Sequence, residues 1–356
     1  MARLLLHKNL QQESLFLWRQ SLKKLQQHRE NPQSGLHPEY AGMEVFMQIV
    51  LSVLMLVVGF VLLVKGADWF VDGAAALAGK LGIPQLVIGL TIVAMGTSLP
   101  EAAVSITSAL QGSTGITVGN VVGSNIMNIL VILGISAVIT NVRIQKSTLK
   151  YELPFMLLIT VVFLAMGMLG GEFTRLDGVI LLGFMIVYLI YLLNLAKKGT
   201  EEEEEFKDMP IWKCIVGIVL GAVMIVGGSN LVVDGASDIA SAMGISDRII
   251  GLTIVAFGTS LPELVTSVSA AKKGNAGIAI GNIVGSNIFN ILFVLGVTAL
   301  ICPVPFASQF LIDSLVAIGA GLLLWFGTMK HKELRRPVGI VMLVCYAAYF
   351  VYLCMK

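Results

Sequence analysis

Charge is scarce in this chain. Asp, Glu, Lys and Arg make up 13% of its 356 residues, apolar residues make up 56%, and the mean hydropathy is +0.87. That composition cannot clothe a water-soluble globule in polar surface, so a soluble enzyme or nucleic-acid binder is excluded and a polytopic membrane protein remains. Cysteine is equally sparse: Cys214, Cys302, Cys345 and Cys354 are scattered, with no CxxC spacing. Thiol redox chemistry and a thiolate metal site therefore have no support. Only one histidine, His331, follows residue 42. Zinc thus lacks its usual nitrogen ligands, and whatever cation binds the apolar part of the chain must be held by oxygen.

What is present is a duplication. Gly89-Leu-Thr-Ile-Val-Ala-Met-Gly-Thr-Ser-Leu-Pro-Glu101 returns as Gly251-Leu-Thr-Ile-Val-Ala-Phe-Gly-Thr-Ser-Leu-Pro-Glu263. The same offset carries Gly119-Asn-Val-Val-Gly-Ser-Asn-Ile-Met-Asn-Ile-Leu130 onto Gly281-Asn-Ile-Val-Gly-Ser-Asn-Ile-Phe-Asn-Ile-Leu292. About 20 apolar residues cross a bilayer core as helix. Ten such stretches lie at roughly 45–79, 84–110, 115–139, 149–169, 176–195, 211–242, 246–271, 277–300, 309–328 and 337–355. The expected fold is an all-α membrane protein of two five-helix repeats, 43–195 and 211–356, joined by an acidic linker at 196–210. Five is odd, so the second repeat enters from the opposite side, the inverted-repeat plan of secondary transporters.

Basic residues orient the chain. Lys80, the 143–150 connector, residues 197–213, Lys272, Lys273 and the 330–336 connector fall on one side, against Arg175, Arg248 and Lys356 on the other. The basic side is cytoplasmic, which puts the linker inside and both ends of the core outside, in a prokaryotic inner or plasma membrane. The polar segment 1–42 carries positive charge on the outer side, against that rule. Either it is a surface-lying amphipathic helix on Leu15, Trp18, Leu22 and Leu25, or translation starts at Met43 and the leader is an upstream-start artefact, the reading taken here. It has no apolar h-region of a cleavable signal. The linker, with Glu201 to Glu205, reads as solvated chain too short to hold a regulatory domain.

Each copy of the first motif puts a carboxylate inside an apolar span, where an ionisable residue is by default functional. Helical spacing sets Thr97, Ser98 and Glu101 on one face, and Thr259, Ser260 and Glu263 on another. Pro100 and Pro262 break the backbone ladder and release carbonyl oxygens near Gly96 and Gly258. Hydroxyls, carboxylates and freed carbonyls together suit a hard cation. The structural alternative, a proline kink with a helix-bridging Glu, is weakened by the repetition. In the second motif, Asn120, Ser124 and Asn128 form a polar stripe repeated by Asn282, Ser286 and Asn290. Ser124, Asn128, Ser286 and Asn290 read as ligands, whereas Asn120, Asn125, Asn282 and Asn287 fit helix bridging equally well. Gly119, Gly123, Gly281 and Gly285 have the small-xxx-small spacing of close helix approach. Asp72 and Asp234 suit helix ends, and Asp68, matched by Asn230, is unassigned.

These motifs resemble the paired repeats of the cation/Ca²⁺ exchanger superfamily, the sodium/calcium antiporters, over about residues 45–355. The resemblance implies alternating access at a central Ca²⁺ position made by Glu101, Thr97, Glu263 and Thr259 with the carbonyls of Ala94 and Ala256. It implies Na⁺ positions at Ser98, Ser124, Asn128, Ser260, Ser286 and Asn290. Several members carry Asp where Asn290 stands, so this site has two formal negative charges, enough for one Ca²⁺ or two Na⁺. Ca²⁺ and Na⁺ are then transported ions rather than cofactors, with H⁺ and K⁺ as further candidate counter-ions. Lipid is the surrounding partner, with no nucleic acid and no obligate protein partner. The rivals are a Ca²⁺/H⁺ exchanger on the same site, an intramembrane hydrolase using Ser98 or Ser260, and a passive cation channel.

Overall fold

In an apolar medium every backbone N–H and C=O must be satisfied within the chain, and a sequence this apolar does so by folding as helix. The computed structural model describes residues 38–110, 115–198, 209–244 and 256–355. The amphipathic stripe at Leu15–Leu25 and the carboxylates Glu201 to Glu205 lie outside them. Contacts divide the chain into Met1–Leu51 and Ser52–Lys356. Of the first unit only the opening of a long helix, α1 (Pro38–Leu81), is described.

The second unit continues α1 and adds a broken pair, α2 (Gln85–Thr97) and α3 (Leu99–Thr107), bent by 45°. There follow α4 (Thr117–Ile139), α5 (Thr148–Gly170), α6 (Arg175–Lys197) and α7 (Ile211–Ala242). The second half resumes with α8 (Ala256–Thr259) and α9 (Leu261–Lys272), then α10 (Ala276–Ile301), α11 (Phe310–Met329) and α12 (Arg336–Met355). Among the described residues eight helices are long and apolar enough to cross a membrane, or nine with the broken pair as one span. Of the ten expected stretches, the one at 246–271 begins outside the described residues.

Both proline breaks form as the sequence predicts. Ser98 leaves helical geometry at φ −84°, ψ 8°, and Ser260 repeats it at φ −90°, ψ 2°. Four further irregularities among the described residues were not predicted: π-helical turns at Gly89–Val93, Asn128–Leu133, Thr148–Glu152 and Asn290–Leu295. Such single turns accompany functional sites, and apolar periodicity carries no mark of them.

Burial sorts the helices. Of their most apolar stretches, α10 buries 83% and α4 78%, while α1 buries 17% and α12 11%. Helices α4 and α10, which carry the asparagine stripes, are therefore the interior, and α1 and α12 face outward. Two two-stranded clips join connectors: Val142–Arg143 pairs antiparallel with Glu333–Leu334, and Glu172–Phe173 with Val304–Pro305.

Helices α1 and α7 lie against each other along glycines seven residues apart. A Cβ on Gly221 would come within 2.7 Å of both Gly66 O and Phe70 N, and one on Gly228 within 2.7 Å of Gly59 O. Helix α10 meets α2 the same way, with Gly281 against Leu86 O at 2.8 Å and Gly285 against Leu90 O at 2.8 Å. The expected close approach thus holds for the second motif. In the first copy of that motif, Gly119 meets only Phe310 among the described residues, at 3.5 Å, and the segment matching α2 lies mostly outside them.

Lys273, just past α9, grips α1 at the opposite end of the broken segment from Glu263. Its Nζ donates to Asp72 Oδ1 and Asp68 O, each at 2.9 Å, while Ser269 Oγ donates to Asp68 Oδ1 at 2.8 Å. Asp68 and Asp72 are thus ion-pair partners rather than cation ligands.

Gly221→Val forces a side chain into backbone that cannot yield, so it should destabilise by about 1–3 kcal/mol, as overpacking does. Gly183, where a Cβ meets nothing within 4 Å, is the control: Gly183→Ala should leave the melting temperature in detergent unchanged or raised.

Candidate functional site

The two proline breaks bring both glutamates into the interior, each 1% exposed and close enough to repel one another. The break itself does the placing. Because Ser98 ends α2 and starts α3, its hydroxyl reaches across the repeat interface and donates to Glu263 Oε1 at 2.8 Å. Ser260 lies beside Glu101 in the same sense, but its Oγ has no hydrogen-bond partner. The pair is therefore symmetric in sequence and asymmetric in bonding.

Thr97 Oγ1 donates toward Asn282 Oδ1 at 2.9 Å and approaches Val93 O at 3.1 Å. Its proton is committed to protein, which leaves oxygen lone pairs for a ligand. Ser286 Oγ donates to Ala94 O at 3.4 Å, tying the expected carbonyl to the second repeat. Thr259 is bonded within the protein. Ser124 is buried at 5% exposure. Ala256 opens α8, the turn that precedes the second break.

One expectation is corrected. The carbonyl of Gly258, freed by Pro262, is taken by Ser229 Oγ of α7 at 2.7 Å and is not a spare ligand. The matching position in α1 is Ala67, which has no hydroxyl, so the first repeat does not repeat this cap.

The asparagines divide into two jobs. Asn120 Nδ2 donates to Glu101 O at 3.1 Å and Ser105 Oγ at 2.9 Å, and Asn282 Nδ2 does the same to Glu263 O at 3.3 Å and Ser267 Oγ at 2.9 Å. They clamp the helix that carries each glutamate. The other four cross-link α4 and α10: Asn125 and Asn287 each donate to the other's backbone carbonyl, at 3.1 and 3.2 Å. Asn128 Nδ2 then donates to Asn287 Oδ1 at 2.9 Å, and Asn290 Nδ2 to Asn125 Oδ1 at 3.1 Å. With both amide nitrogens occupied, Asn128 Oδ1 and Asn290 Oδ1 are left buried and without partners.

Glu101 Oε2, Glu263 Oε2 and Ser260 Oγ share that condition. A buried acceptor left unmatched costs about 1–3 kcal/mol, and buried charge costs far more unless it is paired. Five unmatched oxygens on buried residues of both repeats, two of them on carboxylates, are of the kind a hard cation takes. Among the described residues no three His, Cys, Asp or Glu side chains form a cluster able to hold a metal, so this donor set consists of two carboxylates supplemented by neutral oxygens.

The family model described as "Sodium/calcium exchanger protein" matches residues 51–194 and again 213–355. The chain belongs to the sodium/calcium exchanger family. The double match is the duplication seen in the motifs. Over 316 residues it is 41% identical to "Putative antiporter CaxA" of Alkalimonas amylolytica, covering 85% of this chain and 98% of that one. It is 36% identical to "Inner membrane protein YrbG" of Escherichia coli (strain K12), covering 83% and 94%. Among solved structures, the sodium-calcium exchanger NCX_Mj soaked with zero Na⁺ and Ca²⁺ matches at a TM-score of 0.76 and 36% identity, over 86% of this chain and 99% of that one. As a member of this exchanger family the protein is a multi-pass membrane transporter and not an enzyme, which removes the hydrolase reading of Ser98 and Ser260.

Asn282→Ala removes the clamp on Glu263 and the partner of Thr97 together. It should lower stability by about 1–3 kcal/mol, through the buried groups it strands, and by more than Asn120→Ala, which leaves Thr97 untouched. Thermal unfolding of the two variants side by side reads the difference.

Proposed function

We propose that the protein is a secondary antiporter that exchanges Ca²⁺ for Na⁺ by alternating access, at a central site built on Glu101 and Glu263. The observation that carries this reading is the pair of buried carboxylates, each with an unmatched oxygen, in an interior that also leaves the amide oxygens of Asn128 and Asn290 unmatched. Two formal charges neutralise one Ca²⁺ or two Na⁺. Thr97, Thr259 and the carbonyls of Ala94 and Ala256 complete the Ca²⁺ position, and Ser98, Ser124, Asn128, Ser260, Ser286 and Asn290 supply the Na⁺ positions. The two loads compete for the same oxygens, so one displaces the other and exchange follows.

Ca²⁺ accepts about six to eight oxygens at roughly 2.3–2.6 Å in flexible geometry, whereas Mg²⁺ demands a strict octahedron and sheds water reluctantly. A ring of hydroxyl, amide and carbonyl oxygens on broken helices suits the larger ion. Relatives support the choice of cargo: "Sodium/calcium exchanger MaX1" of Methanosarcina acetivorans is 35% identical over 348 residues, spanning 86% of this chain and 99% of its own.

The architecture proposed is ten spans in two inverted five-helix repeats, 43–195 and 211–356, with the 196–210 linker cytoplasmic and both ends of the core outside. The clips support that parity. Each joins connectors separated by an even number of spans, which must lie on the same side. The glycine seam makes α1 and α7 a single smooth pair, suited to shift as one gate against the interior, and Lys273 with Asp68 and Asp72 holds that gate at one end.

The test is Ca²⁺ uptake into Na⁺-loaded proteoliposomes, beside vesicles with only a pH gradient and vesicles with neither. Uptake should follow the Na⁺ gradient and fall to background in Glu101→Gln and Glu263→Gln, both still inserted. Uptake driven only by protons would replace Na⁺ with H⁺, gradient-independent flux would make the protein a passive channel, and full transport in both variants would remove the proposed site.

A further inference from the structure

Three glutamates are buried among the described residues: Glu101, Glu263 and Glu152. Glu152 has no part in the exchange site. It closes the π-helical turn that begins α5, at 1% exposure, and has no ion pair among the described residues. Tyr191 OH of α6 donates to its Oε1. Its Oε2 has no partner, and neither do Thr148 Oγ1 or Tyr188 OH, which are equally buried. Thr148 lies four residues earlier on the same turn, and Tyr188 lies one turn before Tyr191 on α6, stacked on Phe155 of α5 with ring centroids 5.5 Å apart. Trp325 Nε1 of α11 donates to Leu149 O at 2.9 Å and holds the turn in place.

We propose that Glu152, Thr148, Tyr188 and Tyr191 form a second cation site, for one alkali-metal ion, apart from the exchange site. A lone carboxylate in an apolar interior must be neutralised. A single proton on Oε2 would neutralise the charge without drawing on the hydroxyl oxygens of Thr148 and Tyr188. One alkali ion meets the carboxylate and both hydroxyl oxygens together. A divalent ion would leave net positive charge where uncompensated charge is most expensive. The bound ion joins α5 to α6 at the end of the bundle where Lys146 and Lys150 stand, and so braces helices that pack against the asparagine-bearing core: Asn287 Nδ2 reaches Met156 Sδ of α5 at 3.8 Å.

The experiment uses the full chain carrying Glu101→Gln and Glu263→Gln, purified in detergent and choline buffer, with Na⁺ and Rb⁺ alone as probes. About one radiolabelled Na⁺ or Rb⁺ should bind per chain, and NaCl or RbCl, but not choline chloride, should raise the melting temperature. Adding Glu152→Gln should abolish both effects. Thr148→Val and Tyr188→Phe should each weaken the ion about tenfold, equivalent to about 1.4 kcal/mol, while in choline neither should lower the melting temperature, because each deletes an unmatched buried hydroxyl. If the double variant does not fold, the same binding is read on the unmodified chain saturated with Ca²⁺. Absence of alkali-ion binding, binding that survives Glu152→Gln, or a stabilisation that follows pH and not the alkali ion would each overturn the proposal. None of these outcomes bears on Na⁺-driven Ca²⁺ uptake, which tests the exchange site separately.

Discussion

Everything else in the fold answers to two carboxylates held where water is absent. Glu101 and Glu263 are each almost fully buried, an arrangement that a stable apolar core would not otherwise contain. The protein accommodates it by breaking two helices at proline, so that hydroxyls and irregular backbone, tolerated in a membrane only when enclosed by protein, surround the charges. Those breaks must in turn be held rigid, which is what the clamps of Asn120 and Asn282 and the four-asparagine cross-link between α4 and α10 do. The amide oxygens of Asn128 and Asn290 left over are a by-product of that bracing, and like one oxygen of each carboxylate they are buried and unmatched.

Rigidity at the centre places motion elsewhere. Helices α4 and α10 are enclosed on nearly every side, and α2 is locked to α10 by backbone contact at Gly281 and Gly285. Helices α1 and α7 differ: they are long, largely outward-facing, and joined to each other by glycines that present no interlocking side chains. A two-state gate needs an element that can shift as a body without disrupting the ligand set, and this pair meets that requirement. The cap from Ser229 on Gly258 O and the grip of Lys273 on Asp68 and Asp72 are the polar ties that such a shift has to remake.

The sequence disclosed the duplication, the membrane class and the glutamates with little ambiguity, because each rests on a coarse signal: exact repetition, hydropathy, or a charge where none belongs. Family membership came from the same residues. What it hid depends on geometry finer than periodicity. Asn120 and Asn128 look alike in a stripe, yet one clamps a neighbouring helix and the other, at the start of a π turn, ends with a free oxygen. Ser229 gave no sign that it would claim the Gly258 carbonyl, since its partner lies in another helix. The α1–α7 seam was legible in principle: Gly59, Gly66 and Gly73 against Gly221, Gly228 and Gly235 keep a seven-residue period that motif reading passed over.

The same reasoning separates the repeats where they appear identical. Two copies with one motif need not bond alike, because each copy's surroundings are supplied by the other copy and by helices that have diverged. Ser98 donates to Glu263, but Ser260 does not complete the reciprocal bond to Glu101; Ser229 faces Gly258, while its counterpart Ala67 cannot. Each glutamate therefore has the serine of the other repeat beside it, Ser98 held more closely on Glu263 than Ser260 is on Glu101. In an alternating mechanism built on a duplicated unit, the opposite state is the one in which the halves exchange conformations. The closer Ser98 contact and the looser Ser260 contact can trade places in that exchange. The Ser229 cap and the Lys273 grip cannot, because the residues they require occur in one half only.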